Sequence, residues 1–148
     1  KIRLENIVKT LNKLSKHIKI VLPLHPRTRK KLSNYGGENL NSSIELIDPV
    51  GYLEMNWLIS NCQLVITDSG GLQKESYFHN KPCVTLRNET EWIELLEDGA
   101  NILLDPSKKN SLSSILQMMN KKVNPNSELF GDGNAGKLII ETITNFNH

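Results

Sequence analysis

Five short apolar runs, IKIVLPL (18–24), IELI (44–47), QLVIT (63–67), PCVTL (82–86) and NILLD (101–105), alternate with segments of helical periodicity. Each run is brief, rich in β-branched residues and bounded by turn formers, the form of a buried strand. Between them Ile2–Leu14, Pro26–Leu32, Tyr52–Ser60, Leu72–Asn80, Glu89–Gly99, a stretch capped by Ser107 or Ser111 and ending at Met119, and Lys137–Phe146 read as helices. Parallel strands need such crossovers, and strand–helix repeats close as a sheet covered on both faces. The expected fold is therefore α/β, a Rossmann-like three-layer α/β/α domain with a parallel sheet. Sheets of this kind take ligands at the carboxyl ends of their strands, so residues just after strands are the first candidates for a site.

At 148 residues there is room for one domain with a core. Formal net charge is +2, too small an excess for a nucleic-acid coat or a membrane-surface protein. Aromatic residues make up 5%, too few for a base-stacking platform. No apolar run approaches the roughly 20 residues that span a bilayer. Cys62 and Cys83 lie beside strands, outside any CxxC or Cys/His cluster, and read as buried reduced thiols. No metal or cofactor is expected, and the setting reads as cytoplasmic. The chain begins at Lys1 already inside an amphipathic pattern, which reads as the interior of a longer polypeptide.

Four segments carry candidate chemistry. In ITDSGGLQKE (66–75) a strand ends and a helix begins across Ser69, Gly70 and Gly71. Free amides at a helix start favour an anion, two glycines admit a phosphate closely, and the Ser69 hydroxyl is a donor. Glu75, one turn on, would repel phosphate but suits ribose hydroxyls. Equally open is a helix capped by Ser69 or Asp68. In LPLHPRTRK (22–30), His25 follows a strand and could bind a diphosphate or move a proton, with Arg27 and Arg29 adding charge. A surface histidine before a basic helix start fits as well. In TLRNETEW (85–92), Arg87 follows a strand, and Thr90 and Glu91 read first as helix caps. FGDGNAGK (130–137) lacks the hydroxyl after its lysine that a phosphate loop needs and reads as a turn and cap. His17, His79 and His148 look bland.

PLHP, LIDP-x-x-YL, TDSGGLQKE, KPCVTLRNETEW, NILL and FGDG, in this order, resemble the C-terminal half of the UDP-N-acetylglucosamine 2-epimerase family. The resemblance implies one half of a glycosyltransferase-B type two-domain fold. Residues 1–148 would be the C-terminal UDP-binding domain, with 137–147 a crossover helix and the N-terminal catalytic domain outside the chain. By position it implies His25 near the diphosphate and important for catalysis. It further implies Ser69, Gly70 and Gly71 as the diphosphate turn, Glu75 on ribose, and Met55 at the border of the uracil. Many members read TERPE where this chain reads TEWIE; Trp92 supplies no charge, and Arg87 is the substitute. Members activated by a second UDP-sugar carry histidine where Glu45 stands.

The implied reaction inverts C2 of a UDP-sugar by eliminating UDP across C1–C2 and adding it back after proton delivery to the other face. The partners implied are UDP and UDP-sugar, the N-terminal domain of the same polypeptide, and a homodimer of the complete enzyme, with neither nucleic acid nor membrane. This chain alone is expected to bind UDP weakly and to be inactive. QKESYF and VTLRNETEW also resemble relatives acting on UDP-2,3-diacetamido-glucuronic acid. A hydrolysing epimerase and a stand-alone nucleotide-binding module stay open as well; a glycosyltransferase of this fold would not be expected to pair TDSGGLQKE with PLHP.

Overall fold

The computed structural model describes residues 2–34, 39–108, 112–126 and 129–146. In chain order the elements are α1 (Ile2–Leu14), β1 (Ile20–Pro23), α2 (Pro26–Asn34), β2 (Ile44–Ile47), α3 (Tyr52–Asn61) and β3 (Val65–Thr67). Then come α4 (Gly70–Phe78), β4 (Cys83–Thr85), α5 (Ile93–Glu97), β5 (Asn101–Leu103), α6 (Leu112–Met119) and α7 (Ala135–Phe146). Every strand pairing is parallel: β1 with β2, and β3–β4–β5 as a three-stranded set. No ladder joins β1 to β3 among the described residues. They meet instead through one core, where Ile20 of β1 and Ile66 of β3 pack on Leu14, Val84, Ile115 and Met118.

The three layers follow from the period-two alternation of strand side chains. In β4, Val84 enters the cluster built with Leu14 of α1 and Ile115 and Met118 of α6. Its neighbour Cys83 enters another, with Ile59 of α3, Val65, and partly buried Leu72 of α4. Helices α1 and α6 thus cover one face, and α3 and α4 the other. Tyr77, Leu95, Ala100 and Val123 close a third cluster beneath α4 and α5. This is the expected Rossmann-like α/β/α arrangement of parallel strands.

Several boundaries differ from expectation for physical reasons. Helix α4 begins at Gly70, so the two glycines are its first residues instead of a turn before it. Helix α5 spans only Ile93–Glu97, because residues 87–92 are held in a loop by bonds from Arg87 to Glu91 and from Thr90 to Gln73. Thr90 and Glu91 do not cap it: its N-cap is Trp92, without a side-chain bond. Ser107 does not cap α6, since its hydroxyl and N–H both bond to Asp105, holding that exposed carboxyl below its usual range; Ser111, the other expected cap, lies outside the described residues. The FGDG segment is a turn, with Gly131 and Gly133 at φ 82° and 83°, where a side chain would be strained. Asp132 accepts from the Asn134 N–H at 3.0 Å and from its Nδ2 at 2.7 Å, just before α7. Helix α7 itself buries no residue, and Phe146 is 86% exposed, so packing on its own sheet is not what covers it.

Both thiols are free, Cys62 half-buried and Cys83 buried. Burial pushes Cys83 from its ordinary 9.0 to about 11 and raises Cys62 as well. The folded state therefore holds the Cys83 proton more tightly than the unfolded chain, and the stability this contributes is lost as pH rises from 9.0 to about 11. In native protein at pH 8 with an aromatic disulfide reagent, Cys83 is expected to react at least ~100-fold more slowly than after unfolding. Labelling of Cys83 at the unfolded rate would show that its cluster is open.

Candidate active site

The register of β3–β4–β5 aligns Thr67, Thr85 and Leu103, so the chain leaves all three strands along one carboxyl edge. Ser69 and Arg87 each stand two residues beyond that edge. Ser69 is the N-cap of α4 in extended conformation (φ −87°, ψ 131°), yet its side chain makes no capping bond. Its own N–H donates to Thr67 Oγ1 at 3.0 Å. The side-chain cap open from the sequence is absent at Ser69, and the Ser69 hydroxyl and the first amides of α4 keep their donors for another acceptor. A Cβ on Gly71 would meet nothing nearer than Ser69 Oγ at 3.9 Å, so this side of the turn is open.

The 87–92 loop is folded over the same turn. Arg87 Nη1 donates to Glu91 Oε2 at 2.9 Å, and the other Glu91 carboxylate oxygen lies against Gly70. The Trp92 indole N–H donates to the Gly70 carbonyl at 3.0 Å, and the Trp92 backbone N–H to Thr90 Oγ1 at 3.1 Å. Beneath the loop lies Gln73, fully buried. Its Oε1 accepts from the Thr90 hydroxyl at 2.6 Å and from Asn101 Nδ2 at 3.0 Å. Asn101 Oδ1 in turn accepts from Thr85 at 3.0 Å. One polar chain therefore ties β4, β5, the 87–92 loop and the start of α4 together. A buried network with its partners in place rigidifies what it joins.

Two further residues complete this edge. Glu75 is half-buried on α4, one turn past Gly71, and its carboxylate makes no ion pair or side-chain hydrogen bond among the described residues. Lys74 holds its ammonium 4.3 Å from the Trp92 ring centre and 4.2 Å from that of Phe130. Phe130 also meets Tyr77 and Trp92 edge-on, so the FGDG segment is anchored on the α4 side of the site. A cation over aromatic faces is held by the ring quadrupoles. Trp92 brings no charge, but it brings a bound lysine.

His25 leaves the carboxyl edge of the β1–β2 pair and caps α2. Its carbonyl accepts from the Thr28 and Arg29 N–H groups, and its Nδ1 accepts from the Arg27 N–H at 3.2 Å. An Nδ1 that accepts places the proton of the neutral ring on Nε2, a donor on an exposed imidazole. Arg29 turns to Asp48 at 3.2 Å, and Arg27 is exposed. Met55 is half-buried in the packing of α3 on the cluster of Ile59, Val65 and Cys83. Glu45, on β2, pairs with Lys19 at 2.8 Å. His79 donates from Nε2 to Asn56 Oδ1 at 2.8 Å and lies 3.0 Å from the Ser60 hydroxyl through Nδ1, a tether between α3 and α4. A groove of 420 Å³ near Cys62, Pro82 and Lys121 lies at the amino end of β4, away from these groups.

The structure thus gathers Ser69, Gly70, Gly71, Glu75 and Arg87 around the start of α4. Met55 comes from α3, which packs on α4, whereas His25 stands at the carboxyl edge of the separate β1–β2 pair. Gln73, Thr90 as a tether, and Lys74 were not singled out by sequence reasoning; QKE and NET are polar triplets like any on a surface.

The model of the UDP-N-acetylglucosamine 2-epimerase family matches residues 1–144. A UDP-2,3-diacetamido-2,3-dideoxy-D-glucuronate 2-epimerase of Pseudomonas aeruginosa is 44% identical over 141 residues, 95% of this chain and 39% of its own length. The crystal structure of Methanocaldococcus jannaschii UDP-GlcNAc 2-epimerase in complex with UDP-GlcNAc and UDP superposes with a TM-score of 0.83 at 39% identity, over 96% of this chain and 40% of the other. A Staphylococcus aureus MnaA–UDP structure superposes with a TM-score of 0.79 at 27% identity, covering 97% and 41%. The chain thus spans well under half the length of each of these relatives. With the fold matched end to end and the TDSGG turn at the carboxyl edge of its sheet, this chain belongs to the UDP-N-acetylglucosamine 2-epimerase family.

Proposed function

We propose that this chain is the UDP-binding portion of a nucleotide-sugar 2-epimerase that inverts C2 by elimination and re-addition of UDP. The observation that carries the reading is the start of α4: amides and a serine hydroxyl without a side-chain cap, an open glycine, and Arg87 beside it. These groups suit a diphosphate, and Glu75, one turn on, suits the ribose. Met55 borders the uracil in this reading.

In elimination the C1–O bond breaks with its electron pair leaving on the diphosphate, while a base takes the C2 proton. Re-addition returns UDP to C1 after a proton reaches the opposite face of C2. The demand on this chain is to stabilise negative charge on the departing diphosphate and hold it for return. The amides of α4, Ser69 and the His25 Nε2–H supply donors for it. Groups acting on the sugar lie on the remainder of the polypeptide, an N-terminal catalytic domain. Helix α7 is then the crossover helix, its exposed Leu138, Ile139, Ile140, Ile143 and Phe146 covered there. A homodimer of the complete polypeptide and a cytoplasmic setting belong to the same reading; no described helix is long and apolar enough to cross a membrane.

Calorimetric titration of the chain with UDP, uridine and phosphate tests the binding step. UDP is expected to bind at least ~10-fold more tightly than either part. No preference for UDP over free phosphate would overturn the reading. Product NMR on the complete polypeptide decides between UDP-GlcNAc and the diacetamido-glucuronate. Replacing Ile139 and Ile143 by Asn should leave the melting temperature of this chain within ~2 °C, since neither is buried here, while lowering that of the complete polypeptide. Equal loss in both would place α7 on this domain's own surface.

A further inference from the structure

Glu91 is an odd neighbour for a diphosphate site. One of its carboxylate oxygens lies against Gly70, the first residue of α4, and the other takes the Arg87 guanidinium at 2.9 Å. The loop that carries it is anchored over the turn from both sides, by Trp92 on the Gly70 carbonyl and by Thr90 on Gln73. An anion at a helix start is electrostatically favoured, so the carboxylate sits where a phosphate is favoured too. It bonds none of the α4 amides, however, and its hydrogen-bond partner is Arg87. Both side chains are partly exposed, at 47% and 33%, so the pair is weak and the carboxylate can rotate into water.

We propose that Glu91 is a resident competitor for the ligand's phosphates, and that binding exchanges the Arg87–Glu91 ion pair for an Arg87–phosphate contact while Glu91 swings off Gly70. The proposal rests on the UDP reading above and adds an affinity-setting residue to it. A carboxylate and a diphosphate cannot share one guanidinium and one glycine face without like-charge repulsion. Ligands that bring phosphate displace Glu91; a bare nucleoside does not. Glu91 thereby tunes the site by charge, keeping Arg87 paired when no ligand is bound and weakening the hold on UDP.

The test is the sign of one substitution. Glu91→Gln keeps the shape and removes the charge. Titrated with UDP, pyrophosphate and uridine, the variant is expected to bind UDP and pyrophosphate about three- to fivefold more tightly than the parent chain, with uridine unchanged. Equal or weaker UDP binding would overturn the proposal, because Glu91 would then be holding Arg87 in place for the ligand. A parallel gain for uridine would also overturn it, as a general change in the fold. Failure of the parent chain to bind UDP at all would remove the reading beneath it and the proposal together. Tight UDP binding by the parent without a gain in Glu91→Gln would remove the proposal alone.

Discussion

Replacing His25 by Asn in the complete polypeptide is expected to lower epimerase turnover by at least ~100-fold while shifting the melting temperature by less than ~2 °C. The two effects separate because His25 does two jobs with two ring nitrogens. Nδ1 accepts the Arg27 N–H and so caps α2. Asparagine is a good cap and can keep that bond. Nε2–H, the donor left over, has no counterpart at the same reach in asparagine. His25→Ala would lose both, adding about 1 kcal/mol of helix destabilisation to the catalytic defect. Turnover by His25→Asn near the parent rate would show that the imidazole is only a cap.

The second large effect is on stability. Gln73→Leu is expected to destabilise the domain by about 3 kcal/mol, or roughly 10 °C in melting temperature for a chain of this size. Leucine fits the volume, but it strands Asn101 Nδ2, and Asn101 is 2% exposed. It also frees Thr90, which becomes able to reach water. A buried donor without a partner loses its hydration and regains nothing. The loss should fall on the site as well, because Thr90 holds the Arg87 loop over α4. Thr90→Val cuts that tether together with the bond from the Trp92 N–H to the same oxygen. It is expected to weaken UDP binding several-fold at a stability cost near 1 kcal/mol, with Thr90→Ser restoring the binding. A Gln73→Leu variant melting with the parent would show that the network carries no structural weight.

The contrast between Gln73 and Val84 shows what was legible and what was not. Val84 lies in a β-branched run between turn formers, and burial on both faces is the only use a soluble domain has for such a run. The alternation of runs and helical segments therefore implied parallel strands, helices on both faces and candidates at carboxyl ends, and the structure has that form. Gln73 is more deeply buried than most of the apolar residues, yet its letter reads as surface. Its burial depends on Thr90 and Asn101, 17 and 28 residues away, and no local pattern encodes that meeting. The shortened α5 has the same origin, since Glu89–Trp92 would suit a helix but are held in a loop by Arg87, Gln73 and Gly70.

Ser69, Gly70 and Gly71 sit between these extremes. Their types and order pointed to a phosphate turn or a capped helix without choosing. Only the fold shows that the Ser69 side chain makes no capping bond and that Glu91 reaches Gly70. Local periodicity and backbone propensity act over a few residues, so the sequence by itself determined the strands, the helices and the edge where chemistry could lie. Which polar groups meet across that edge, which of them are satisfied, and that α7 is left exposed were decided by contacts distant along the chain, which exist only once the layers have packed.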